Sequence, residues 1–192
     1  MHIDLAKELI SKYGSLIVKV FNESLRVWYQ VASIYGFSHS KRTKYSFIWD
    51  VVIHKLRSEL AEDSSFYFPD CFGTTFLVYK QTFLIRVKKL GKDGRPSFIE
   101  TQQAEKFQNQ LDLGFGDLTN VYLNYSLDIL DISIDSIKLQ CENGNSILWS
   151  FPLDDLLGII TSDLFTNNQA TPNKRIRIKG FENKEKVNGT EV

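Results

Sequence analysis

The run Phe83–Leu90 alternates in the period of a strand, with apolar Phe83, Ile85 and Val87 on one face and Arg86 and Lys88 on the other. Such a strand must cover its apolar face, while its far end carries cations that call for water or an anion. The apolar run Thr75–Tyr79 stands at hairpin distance before it. The Lys80-Gln81 turn between them lacks the Asn-Gly or Asp-Gly of tight hairpins, so a longer or irregular connection is expected. After Lys89, the residues Gly91, Gly94 and Pro96 break the strand. Thr101 is then placed to cap a short helix with Ala104, Phe107 and Leu111 facing inward.

Ahead of this hairpin the spacing is helical. Ala6, Leu9, Ile10 and Tyr13 recur at three and four, and Gly14 reads as a stop, which predicts a first helix over Ile3–Tyr13. Ser15 is placed to cap a second helix carrying Val18, Phe21, Leu25, Trp28, Val31 and Tyr35 as far as Gly36. After the polar loop Phe37–Arg42, Thr43 is the expected cap of a third helix, whose stripe is Tyr45, Ile48, Trp49, Val52, Ile53, Leu56 and Leu60. Lys44, His54, Lys55, Arg57 and Glu59 lie opposite that stripe and read as a solvated face.

A short strand is expected at Phe66–Phe68, and Val121, Leu123 and Tyr125 give another strand. Ile132 and Ile134 hold one phase and Ile137, Leu139 and Cys141 the other, so the period slips near Asp135-Ser136 and calls for a bulge or a preceding loop. Asn143-Gly144 then marks a type I′ hairpin pairing Ile137, Leu139 and Cys141 with Ile147, Trp149 and Phe151. Asp154-Asp155 suggest a short helix after Pro152. The fold class expected is α+β: N-terminal helices, then an antiparallel sheet with flanking helices. One domain is expected over 1–165, helical over about 1–62 and sheet over about 66–153, with a mobile tail over 166–192, where Asn, Gln, Lys and Glu dominate.

The 23 basic and 23 acidic residues cancel, so any attraction for a polyanion must be local. Cys71 and Cys141 form no C-x-x-C pair and are expected as thiols of a reducing compartment. No signal-peptide pattern or membrane-length apolar run is present, so a cytoplasmic protein without membrane partners is expected. His2, His39 and His54 fit no zinc motif, and there is no nucleophile elbow, phosphate loop or dinucleotide pattern. No metal or cofactor is expected.

What remains is a local cluster of Arg86, Lys88, Lys89, Lys92 and Arg95, with Lys80 across the hairpin. It could neutralise phosphates, with Tyr79 or Tyr122 stacking on bases, or be a strand edge that lysines protect from aggregation. A metal-dependent nuclease would need clustered carboxylates. The position two before Lys88 is instead Arg86, and Glu59, Asp63 and Asp70 lie outside the hairpin.

Several segments follow one another in a familiar order. They are Thr43–Ile48, Arg86–Leu90, Pro96-Ser97 with Thr101–Ala104, Asn124–Asp128, and Cys141–Gly144 with Trp149. Over Arg42–Leu153 the chain resembles an uncharacterised bacterial family encoded beside Xre-type regulators that carry an ImmA/IrrE-like metallopeptidase domain. The resemblance implies a partner of that regulator in a two-gene toxin-antitoxin or phage-defence module, and the leading expectation gives the chain the toxin role; the basic cluster adds nucleic acid as a further candidate partner. Trp49 stands where a histidine is common in that family, which weighs against catalysis. Together with side-chain chemistry, the resemblance makes Arg86, Lys88, Lys89, Arg95, Thr101, Gln102 and Gln103 the candidate binding residues. The alternatives are a metal-dependent nuclease and a non-toxic inhibitor of a host or phage protein.

Overall fold

The structure is a computed structural model, and it describes residues 2–35, 40–71, 73–97, 107, 118–143 and 146–156. Among these residues, helix α1 (Ile3–Tyr35) and helix α2 (Lys41–Glu59) precede eight strands. These are β1 (Phe66–Tyr67), β2 (Asp70–Cys71), β3 (Thr74–Thr75), β4 (Leu77–Tyr79), β5 (Phe83–Lys89), β6 (Thr119–Leu127), β7 (Ile134–Asn143) and β8 (Ser146–Pro152). Six of them form one sheet in the order β1-β4-β5-β6-β7-β8, and β2 and β3 make a separate hairpin. The class is the α+β one expected, with one difference: β5 and β6 run parallel while every other pair is antiparallel. A parallel neighbour requires a crossover connection, and the interval from Ser97 to Leu118 is long enough to supply it.

The expected break at Gly14 is absent: α1 is continuous over 33 residues. Its buried stripe, Ala6, Leu9, Tyr13, Ile17, Phe21, Leu25 and Trp28, runs straight through the glycine. Interior glycine costs a helix about 1 kcal/mol relative to alanine, and here it has a packing reason. A Cβ at Gly14 would lie 2.9 Å from Leu156 Cδ1, so the missing side chain lets the chain after β8 seat against the helix. Ser40, not Thr43, caps α2, with its hydroxyl accepting from the Thr43 N–H at 3.2 Å.

Both helices cover one face of the sheet. Ile48, Val52, Ile53, Leu56 and the α1 stripe close over Leu77, Tyr79, Phe83, Ile85, Val87, Val121, Leu123, Tyr125, Ile137 and Leu139. Lys44 does not lie on a solvated face as expected. It is 8% exposed and donates to the Tyr29 hydroxyl at 2.7 Å and to the Asp131 carbonyl, which ties α2 to the β6–β7 turn.

The phase slip in β7 is real: Ser126 pairs with Ser136 and Leu127 with Ile134, so Asp135 is passed over. The β7–β8 hairpin also forms, with a second register shift between Cys141 and Glu142, while Gly144 lies outside the described residues. At Lys80 and Gln81 both φ angles are +47°, the left-handed geometry that Asn and Gly adopt more readily. The Thr82 N–H closes this turn on the Tyr79 carbonyl at 3.0 Å.

Candidate functional site

Among the described residues the sheet has a gap. Strand β4 begins at Leu77, opposite Ile85, and the next pairing on that side of β5 is the single bridge between Leu90 and Pro96. Between them, Arg86, Val87 and Lys88 pair only with β6 among the described residues. The Leu90 N–H donates to Tyr125 of β6, whereas the Lys89 carbonyl accepts from Ser97 on the other side. By the two-residue period of a strand, the N–H and C=O of Val87 therefore face the gap.

An open groove of about 380 Å³ occupies this gap. Arg86, Val87, Lys88 and Lys89 form one side, and Tyr45, Ser46 and Trp49 of α2 form another. Gly73 in the β2–β3 turn and Thr74 at the start of β3, with Ser97, complete the rim. Gly73 has φ +71°, which the tight reversal between β2 and β3 requires.

The expected basic strand edge is instead a central strand, and Arg86 is 7% exposed. Its guanidinium lies over the rings of Phe76 and Phe107, at 6.0 and 5.6 Å from their centroids. Burial pulls the Arg86 pKa down from its ordinary value, against a smaller opposing effect of Tyr122. Burial, then the neighbouring Arg86 charge, push Lys88 down to about 8. Among the described residues no ion pair involves Arg86 or Lys88. Lys89 is exposed and sits 3.9 Å above the Tyr45 ring.

Polar groups continue from these cations across the sheet. Arg86 is in register with Tyr122 and then Gln140, and Lys88 with Asn124 and then Lys138. Asn124 and Gln140 are both fully buried. Neither polar atom of the Asn124 carboxamide has a hydrogen-bond partner among the described residues, and neither does Gln140 Oε1. The Gln140 amide donates to Glu142 at 2.7 Å.

Of the sequence candidates, Arg86, Lys88 and Lys89 come together in the groove. Arg95 does not line it; its charge acts on Glu142, whose pKa burial raises and whose contacts with Gln140 and Arg95 lower. Thr101, Gln102 and Gln103 lie outside the described residues, as do the other positions of the expected Thr101 helix apart from buried Phe107, and the expected tail. Lys80 leaves the cluster to pair with Glu8 of α1 at 2.5 Å. Tyr79 and Tyr122, expected to stack on bases, are buried at 0% and 6% exposure.

Sequence reasoning missed Trp49 and Tyr45 as groove residues because it assigned both to the core stripe of α2. The signal was their position: they are the first aromatic members of that stripe, nearest the helix start, and the structure leaves both half-buried. Asp63 and Asp70 do not converge. Asp63 accepts from the Tyr13 hydroxyl at 2.5 Å, which with the Ser65 N–H holds its carboxyl far below the usual range. Asp70 accepts from Arg57 at 2.9 Å and from the Thr75 hydroxyl. Among the described residues, no three His, Cys, Asp or Glu side chains gather as metal ligands would, and no helix is long and apolar enough to cross a membrane. Comparison of the chain with family models, with curated proteins and with solved structures found no match in any of the three.

Proposed function

We propose that this chain works by binding rather than catalysis, as the partner, in the toxin role, of a two-gene bacterial toxin-antitoxin or phage-defence module. The sheet gap is the surface that takes an anionic group of its target. The observation that carries the reading is the pair Arg86 and Lys88, drawn into the protein beside an open groove with no ion-pairing carboxylate among the described residues. Desolvating a cation costs several kcal/mol unless an anion compensates it. A ligand that brings the negative charge supplies that compensation.

The resemblance over Arg42–Leu153 supports the two-gene setting and an Xre-type regulator as protein partner. The nuclease alternative loses ground because Asp63 and Asp70 are already engaged with Tyr13 and Arg57.

The test is bacterial growth under induced expression of the chain, alone and with its genomic neighbour, beside an Arg86→Gln, Lys88→Gln variant whose folding is verified by circular dichroism. Growth is expected to stop with the chain alone, to recover with the neighbour, and to be unaffected by the folded variant. A folded variant as harmful as its parent would remove the groove from the account. Normal growth in every arm would remove the toxin role.

A further inference from the structure

Resting on that reading, we infer that the anionic group is the phosphate of a single nucleotide unit, held by Arg86 and Lys88 with its base against Trp49. Three features select this chemistry over other anions.

The first is the length of the gap. Among the described residues it spans Arg86–Lys88 and is closed at both ends, by the Leu77–Ile85 pairing and by the Leu90–Pro96 bridge. An acidic peptide adding as a strand needs a longer open edge, whereas a compact tetrahedral anion needs only a few converging donors. The guanidinium fork, the ammonium and the inward-facing N–H of Val87 are such donors.

The second is the wall opposite the cations. Lys89 already sits over the Tyr45 ring, so Trp49 is the aromatic surface left for a planar group. Base stacking on an aromatic side chain contributes about 1–3 kcal/mol per base and tolerates any base. The third is Asn124, in register with Lys88 and fully buried, whose carboxamide has no partner among the described residues. It does not line the groove, and as a neutral amide it offers the neighbouring ammonium no internal anion, so the compensating charge has to come from the groove side. Overall neutrality fits one local unit better than a long polyanion track.

The unit could be a free nucleotide or one nucleotide of a single strand, and the experiment separates the two. The full chain is titrated calorimetrically with adenosine monophosphate, a short single-stranded oligodeoxyadenylate, inorganic phosphate and a polyglutamate peptide. One or both nucleotide probes are expected to bind at least tenfold more tightly than phosphate. Lys88→Gln and Trp49→Ala should each weaken that binding about tenfold, and Lys88→Arg should retain it. Preference for the oligonucleotide or for the monophosphate identifies the source.

Phosphate binding as tightly as the nucleotides would overturn the assignment, because the Trp49 wall would then contribute nothing. Binding of polyglutamate alone would overturn it while leaving the anion groove standing. With no probe bound, the growth assay decides the rest. If the Arg86→Gln, Lys88→Gln variant still loses its effect on growth, only the nucleotide fails. If it keeps the effect, the groove reading fails as well.

Discussion

The two faces of the six-stranded sheet are both largely buried, yet they are built from opposite chemistry. On the helix-covered face, the register rows Ile85–Val121–Cys141 and Val87–Leu123–Leu139 are apolar throughout, and α1 and α2 close over them. On the other face, one residue out of phase, the rows read Arg86–Tyr122–Gln140 and Lys88–Asn124–Lys138. A smaller apolar cluster of Phe76, Val78, Leu84, Phe107 and Tyr122 lies beside them. The first face stabilises the molecule by removing hydrocarbon from water. The second holds charges and amides where they cost stability, which is where proteins place function.

The largest expected effect lies on the apolar face. Phe83 is 0% exposed and packs against Trp149 with the two rings tilted, so Phe83→Ala should cost about 3–5 kcal/mol in urea unfolding. A loss below 1 kcal/mol would mean that the helices do not seal this face. Next comes the helix that covers it. Gly14→Leu should cost about 1–3 kcal/mol by overpacking against Leu156, despite leucine's better helix propensity.

The sign should reverse on the polar face. Asn124→Leu removes a buried carboxamide without partners among the described residues and does not touch the groove lining, so it should stabilise the fold by about 1 kcal/mol while leaving ligand binding unchanged. Thermal unfolding checks the first outcome and the titration the second. A destabilised Asn124→Leu protein would show that the amide is part of the scaffold.

A further effect is a pH dependence. Lys88 titrates near 8 in the folded protein against an ordinary 10.5, so between those values the unfolded chain holds more protons. Stability should therefore rise with pH from about 8 to 10.5, while affinity for an anion falls as the ammonium is lost. The groups around Lys88 that bear on this are Arg86 and Lys89 on its own strand, Tyr122 on β6, Lys138 on β7 and Tyr45 on α2. In Lys88→Gln this part of the pH profile should flatten; an unchanged profile would assign the titration to another group.

Much of the fold is legible in local pattern. The two-residue alternation of β5, the phase slip at Asp135 and the pairing of β7 with β8 each reflect backbone periodicity or hairpin pattern, which nearby residues set by themselves. The failures share a cause. Gly14 reads as a stop because glycine weakens an isolated helix, but Leu156, far along the chain, gives it a reason to stay. Lys44 reads as solvated because lysine prefers water, but Tyr29 and the Asp131 carbonyl take its protons inside. Arg86 and Lys88 read wrongly as edge, because strand order is not written in any one strand.

The sequence by itself determined the α+β class, the alternation that opposes Phe83, Ile85 and Val87 to Arg86 and Lys88, and the local character of the positive charge. These follow from side-chain spacing and composition, which act over a few residues. Only the tertiary structure decided that β6 lies parallel beside β5, that β4 stops short of Arg86, and that Trp49 faces the resulting gap. The physical reason is that a groove is made by elements distant in sequence, and its position depends on where a strand runs out of partners.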